Sequence, residues 1–369
     1  MKKFVSLAFK ALPIVVMAAF IASCFTQYIS PAKSKLMSFF ALGFIPLAVA
    51  TLLLAVAWFF VNKKVAALLF IALLPGYKNF STSLAFNLPK KYQLSKNPAA
   101  LRVISWNVRS FDNNARYAEE FSVRRKMINF LKQQNADVLL LQEFVEYDNA
   151  AIYSNIHTLS DSLGFKYYYT SNDITLNLSF GSVVFGCAIF SKFPLTDTFK
   201  ILYENLAQPE YVIHGNILFH GKNVRVATTH LSSLFLFPVQ RYPTDFPRKD
   251  SLFIRDAPVY TKLAFYDRLH ARQAALVQKF IGSISQPVVF SADLNAVPTS
   301  YTYQTISQNL KDAFLQKGTG LGATYSSLSP TLRIDYIFTS KNIITRQYYS
   351  PRLSLSDHYP VVADLQIDQ

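Results

Sequence analysis

Cysteine is scarce in this chain, and its first hundred residues are wholly without acid. Only Cys24 and Cys187 occur in 369 residues, the first in an apolar run and the second in a strand-like segment. That excludes a disulfide framework and leaves the redox compartment undefined. Residues 1–100 hold no Asp, Glu or Arg and eleven Lys, which carry +11 of the formal +15 and leave 26 basic against 22 acidic residues over 101–369. The basic balance therefore belongs mainly to the N-terminal part, and a remainder of +4 does not demand a nucleic-acid-binding face. Internal repeats and low-complexity tracts are absent, which excludes solenoid and array architectures.

What the N-terminal part has instead is apolar length. Leu36 to Val61 is 26 residues without a charge, and crossing the hydrocarbon takes about 20 because a helix rises about 1.5 Å per residue. It is expected to be a transmembrane helix. Ala11 to Ile29 is a second candidate, with Lys2, Lys3 and Lys10 before it and Pro31, Lys33 and Lys35 after it. Val65 to Phe86 is a third, weakened by Gly76, Lys78 and Asn79, so the sequence leaves open whether it spans, re-enters or lies in the interface. "IASC" at Cys24 also fits a lipoprotein signal, although a charge-free helix follows closely. With three spans the lysines at 2, 3, 10, 63 and 64 are cytoplasmic and the C-terminal domain lies outside; with two spans it lies inside.

Three parts are expected: a membrane region over 1–87, a basic, Pro-containing linker over 88–100, and a folded domain over 101–369. Strands are expected at Leu101–Val108, Asp137–Leu141, Val183–Phe190, Lys200–Tyr203, Pro287–Phe290, Arg333–Phe338 and Val361–Ile367, and a Gly-Lys-Asn turn joins two β-rich runs before His230. Val123–Gln134 and Lys262–Ile281 have helical spacing, with Gly282 as a stop. Mixed hairpins and crossovers over this length predict an α/β fold of two packed sheets with helices outside.

Several strands end in groups able to hold metal or phosphate: "VISWNV" in Asn107, "VLLLQEF" in Glu143, "VRVATTHL" in His230, "PVVFSADLN" in Asp293 and Asn295. "LRIDYIF" adds Asp335, and "SLSDHYPVVADL" places Asp357 and His358 just before the last apolar run. An acid after a strand is ordinarily a turn or cap residue. Jointly, residues leaving one sheet edge can meet in a cleft. Four clustered carboxylates repel one another, so a divalent cation is their natural partner, and oxygen ligands favour Mg²⁺ or Mn²⁺ over zinc.

In this order, the motifs "ISWNVRSF", "LLQEF", "THL", "SADLN", "RIDYIF" and "SDHYPV", with "FGCAIFSKFPL" between, resemble the endonuclease/exonuclease/phosphatase superfamily. The resemblance implies a four-layer α/β sandwich and metal-dependent hydrolysis of phosphate esters. By it, Glu143 is the main metal ligand, helped by Asn107 and Asp357. Asp293 positions or deprotonates the attacking water, Asn295 holds a phosphate oxygen, and Arg109 contacts phosphate. His358, oriented by Asp335, and His230 face the phosphoryl group. The expected protein is a membrane-anchored bacterial phosphoesterase of the inner (cell) membrane, its domain outside the cytoplasm, acting on a phosphodiester in nucleic acid or a phospholipid head group. An inactive, membrane-tethered binding or scaffold protein of the same fold is the alternative. Two features stay open: the acid that orients His230, and the insertion from Ser232 to Lys262, which caps the cleft, touches the bilayer or is a surface excursion.

Overall fold

Apolar residues fill both faces of the central strands, so the domain has sheets that must be covered on each side. The computed structural model describes residues 2–112, 118–148, 154–178, 181–203, 210–234, 257–326 and 331–367. Its strands are β1 (Ala85–Phe86), β2 (Leu101–Asn107), β3 (Val138–Tyr147), β4 (Tyr167–Thr170), β5 (Ile174–Leu178), β6 (Gly181–Ser191), β7 (Leu195–Leu202), β8 (Tyr211–Phe219), β9 (Lys222–His230), β10 (Val288–Asp293), β11 (Leu310–Asp312), β12 (Thr319–Gly320), β13 (Asp335–Ser340), β14 (Ile343–Tyr349) and β15 (Val361–Ile367). The longer helices are α1 (Lys2–Cys24), α2 (Met37–Phe59), α3 (Lys63–Ala72), α4 (Tyr77–Ser83), α5 (Ala118–Gln134) and α6 (Val259–Gly282).

Of the two large sheets, one has the order β14-β15-β2-β3-β6-β4, with β5 also pairing β6, and the other has the order β11-β13-β10-β9-β8-β7; β1 and β12 form a separate pair. The period of two sorts side chains between layers. Leu101 and Val103 of β2 enter the core between the sheets, with Val226, Val289 and Ile337 from the opposite sheet. Ile104 and Trp106 point the other way, onto Met127, Phe130 and Leu131 of α5. Across the molecule, Ala274 and Val277 of α6 cover Phe290 and Ala292 of β10. Helix, sheet, sheet and helix give the four layers expected, and each large aliphatic side chain so buried contributes about 1.5–3 kcal/mol.

The hairpin before His230 turns at His220 and Gly221, both left-handed at φ 48° and 78°, as a two-residue turn requires. Lys222 and Asn223, expected in that turn, are the first residues of β9. The basic stretch 88–100 is fastened along the domain rather than loose: Tyr92 stacks on Tyr349 at 4.2 Å, and the buried Arg102 guanidinium donates to the carbonyls of Leu94 and Gln93.

At the N-terminus, α2 runs antiparallel to α1 and to α3–α4. Phe44 of α2 meets Phe20 of α1 at 5.5 Å and Phe80 of α4 at 4.9 Å, while Met17 of α1 packs with Ala55, Trp58, Ala66 and Leu69. The interruption at Gly76 and Asn79 has a packing reason. A Cβ on Gly76 would lie 2.9 Å from the Phe20 ring, and buried Asn79 donates to the Ser23 carbonyl while accepting from Gln27. Lys63–Ser83 is thus helical apart from one 3-10 turn at Leu74–Gly76, and with α2 it is long and apolar enough to cross a membrane.

Candidate active site

The strand directions gather the polar groups at one edge. β2 runs parallel to β3 and β9 parallel to β10, whereas β13 and β15 run antiparallel to their neighbours. The ends of β2, β9 and β10 therefore meet the starts of β13 and β15. Asp293, last in β10, lies in register with His230 on one side and Asp335 on the other.

Asn107 joins the two sheets. Its Nδ2 donates to Glu143 Oε1 at 3.1 Å and to Asp293 Oδ2 at 2.9 Å, and its Oδ1 accepts from the Arg109 backbone at 3.0 Å. Glu143 is not at a strand end as expected, because β3 continues to Tyr147. It sits at a bulge, where the register shifts between Leu141 and Phe144 and Glu143 takes φ 49°. A bulge re-aims a side chain that regular pleating would bury or send elsewhere. Arg109, Ser110 and Phe111 are also left-handed, and this turn sets the Arg109 guanidinium 3.8 Å from Asp357.

The second cluster centres on His358. Its Nδ1 faces both Asp335 oxygens at 3.0 Å, and Asp293 Oδ2 lies at 3.6 Å. Surroundings the sequence did not reveal hold it there. Trp106 Nε1 donates to the His358 carbonyl at 3.0 Å, Ser356 Oγ donates to the Asn107 carbonyl at 2.9 Å, and the Tyr325 ring lies 4.9 Å from the imidazole. Burial pushes the Asp335 carboxyl up to about 6 and opposes charge on His358, but Asp335 and Asp293 outweigh that burial and raise His358 to about 10. We read the pair as imidazolium and carboxylate at neutral pH, since the ring N–H shared by two oxygens favours the charged donor.

His230 is placed differently. Its Nε2 lies 3.5 Å from Asp293 Oδ2 and 3.9 Å from Glu143, and 3.1 Å from Asn295 Nδ2. Burial resists its charging, yet Asp293, Glu143 and Glu210 together raise its pKa. The Asn295 amide, anchored on the Leu231 carbonyl at 2.9 Å, instead favours an unprotonated Nε2. Proton gain and loss at this nitrogen are thus opposed by nearby groups, as suits a proton carrier. Behind it lie two half-buried acids that sequence reasoning missed, Asp173 and Glu210. Burial pushes Asp173 to about 7 and raises Glu210, which accepts from Ser232 Oγ and Gln273. A Cβ on Gly186 would approach Asp173 Cγ to 3.1 Å, which gives the glycine of "FGCAIF" a physical reason.

The expected site residues Asn107, Arg109, Glu143, His230, Asp293, Asn295, Asp335, Asp357 and His358 are thus linked at one edge. Four carboxylates, Glu143, Asp293, Asp335 and Asp357, stand against the His358 imidazolium and the Arg109 guanidinium, a net negative charge that suits a hard divalent cation. Ligand atoms of Asp293, Asp335 and His358 also lie within 4.8 Å of one another. There the imidazole N–H already occupies the carboxylates, whereas the side chains of Glu143 and Asp357 are more open, 23% and 29% exposed. Of the insertion, residues 235–256 lie outside those described. His214 and His270 are packed and His157 and His220 exposed, none of them in the cluster.

A family profile described as "Endonuclease/Exonuclease/phosphatase family" matches residues 104–358, and the chain belongs to that family. A domain of unknown function matches residues 3–83. Among solved structures, the chain is similar to an endonuclease/exonuclease/phosphatase from Beutenbergia cavernae, at 18% identity and TM-score 0.52 over 73% of this chain and 72% of that one. It is also similar to a Bacteroides thetaiotaomicron protein of the family, at 15% identity and TM-score 0.50 over 73% and 98%. A search of curated proteins finds no match.

Proposed function

We propose that this protein is a membrane-anchored, divalent-metal-dependent phosphoesterase that hydrolyses phosphodiesters by direct attack of water. One observation carries the reading: Asp293, with no exposed surface, is held by Asn107, flanked in register by His230 and Asp335, and faced by His358. Hydrolysis needs an acceptor for the proton of water, positive charge at the phosphate oxygens and a proton for the leaving oxygen.

Glu143 and Asp357 would hold Mg²⁺ or Mn²⁺. When bound, the ion would neutralise phosphate charge and acidify water. Asn107 presents its amide nitrogen to Glu143, so its part is to aim that carboxylate and Asp293. Asp293, with Oδ1 fixed by the Asn295 backbone at 3.0 Å, takes the proton of water. Imidazolium His358, kept charged by Asp335, stabilises the phosphoryl oxygens. His230 and Asn295 share the opposite side, where proton delivery to the leaving oxygen is placed, and Arg109 receives phosphate at the mouth.

Anchorage rests on the 23 residues of α2, about 35 Å of charge-free helix against a hydrocarbon core of about 30 Å. The antiparallel helices put residues 25–36 and 84 onward at one end and the α2–α3 turn at the other. The ends that carry the lysines at 2, 3, 10, 63 and 64 would then face the cytoplasm and the domain would lie on the extracytoplasmic side of the cell membrane.

The test uses the full chain in detergent with bis-p-nitrophenyl phosphate, in Mg²⁺ and in EDTA. Metal-dependent turnover is expected, reduced at least ~1,000-fold by Asp293→Asn or His358→Ala with thermal unfolding nearly intact. Wild-type rates in either variant would sink these roles.

A further inference from the structure

The membrane helices dock on the loops that carry the catalytic groups. Thr26, just past α1, donates to the Thr299 carbonyl at 2.7 Å, and Thr299 Oγ1 donates to the Ala41 carbonyl of α2 at 2.7 Å. Asn295 is four residues before Thr299 in the same loop. Ser38 of α2 donates to Asp267 of α6 at 2.7 Å, and Arg268 donates to the Pro31 carbonyl. Arg333, two residues before Asp335, donates to the Thr82 carbonyl of α4 at 2.7 Å. Ala41 shares an apolar cluster with Val297 and Ile334, and Tyr325 joins that cluster to the His358 ring. One layer of side chains separates α2 from the catalytic histidine.

The position along α2 matters. Ala41 is about one turn, roughly 6 Å, from the start of the helix, and the charge-free run begins at Leu36. These contacts thus fall where hydrocarbon gives way to head groups. Lys33 and Lys35 are exposed beside them. Val259, Tyr260 and Phe265, in α6 before the Asp267 contact, are 44–60% exposed, as residues dipping into an interface are.

We propose that the cleft takes the phosphoester head groups of lipids in the bilayer that holds its own helices. The inference rests on the phosphoesterase reading and names its substrate. Water oxygen bonds to phosphorus, the ester P–O bond breaks, and the leaving oxygen takes a proton, so a phosphodiester lipid yields a phosphomonoester and an alcohol. Tethering makes the encounter intramolecular with the surface, and the lipid is present there at high effective concentration. A nucleic acid would need backbone contacts from many Lys and Arg, and residues 101–369 carry an excess of only four.

The test reconstitutes the full chain with Mg²⁺ in vesicles of phosphatidylethanolamine, phosphatidylglycerol and sphingomyelin. Release of soluble head-group products is compared with cleavage of single- and double-stranded oligonucleotides and of bis-p-nitrophenyl phosphate. The expected result is lipid turnover at least ten-fold above oligonucleotide turnover, abolished by His358→Ala and confined to the protein's own bilayer. Labelled lipid in separate vesicles stays intact. Cleavage of oligonucleotides and bis-p-nitrophenyl phosphate with the vesicle lipid intact would overturn the inference and spare the phosphoesterase reading. Equal turnover of lipid in separate vesicles would overturn the argument from seating. Inertness toward every substrate, bis-p-nitrophenyl phosphate included, would sink both.

Discussion

Protonation of His270 should weaken the fold just below neutral pH. The residue is buried on α6 with Nε2 2.6 Å from the Ser232 carbonyl. Burial pushes its pKa from the ordinary 6.5 down to about 4; the Ser232 carbonyl and Asp293 pull upward, and His230 pushes further down. The unfolded chain therefore binds this proton first as pH falls. The contribution to stability is complete above pH 6.5 and is lost as pH drops from there toward 4. Between pH 7 and 5 the loss is about 2 kcal/mol, roughly 4–8 °C in Tm for a domain of this size. Thermal unfolding of the full chain in detergent, followed by tryptophan fluorescence at pH 7, 6 and 5, is compared with that of His270→Gln. Glutamine keeps a donor for Ser232 and does not titrate. His214, which burial and Arg225 hold near 4, titrates in both proteins and cancels. The stability gap should narrow by about 2 kcal/mol from pH 7 to 5. A gap that does not change with pH would refute a neutral, buried imidazole.

Arg333→Met should cost about 3–5 kcal/mol, because it leaves the Asp312 carboxylate buried without its cation. Arg333 sits 2.5 Å from Asp312 and over the Phe314 ring; an unchanged melting curve would contradict the reading. Trp106→Phe keeps most of the packing on Phe130 but strands the His358 carbonyl, a loss of about 1–3 kcal/mol. If Trp106 positions His358, kcat should fall while KM stays nearly constant, and full activity would show that the bond positions nothing.

The sequence exposes the site more fully than the sheets. Asn107, His230 and Asp293 were legible because each follows an apolar run, and Asp357 and His358 because they precede one. Glu143 was legible as a residue type but not as a bulge, since the apolar run around it continues and one extra residue leaves no periodic trace. Strands β4, β5 and β11 are short or partly exposed and lack the nearly continuous burial of β15. Arg102 and Asp364 form a buried bidentate pair at 2.6 and 2.8 Å that spans 262 residues of sequence, and only folding brings such partners together. The half-buried acids behind His230 escaped for the same reason, since neither lies within a motif.

Backbone strain gathers at the candidate site. Of the ten non-glycine residues with positive φ among those described, Arg109, Ser110, Phe111, Glu143 and Asn295 belong to the site or its turn. Asparagine tolerates this conformation, but the other four cost about 1–2 kcal/mol each, so packing must hold them. On one side Phe111, fully buried, meets Phe144 at 6.0 Å. On the other, the loop after Asn295 is pinned at Thr299 to Thr26, just past α1, and to Ala41 of α2. Loosening the bundle would therefore relax the site from the Asn295 side first, so detergents that disrupt helix packing should lower turnover before they unfold the sandwich.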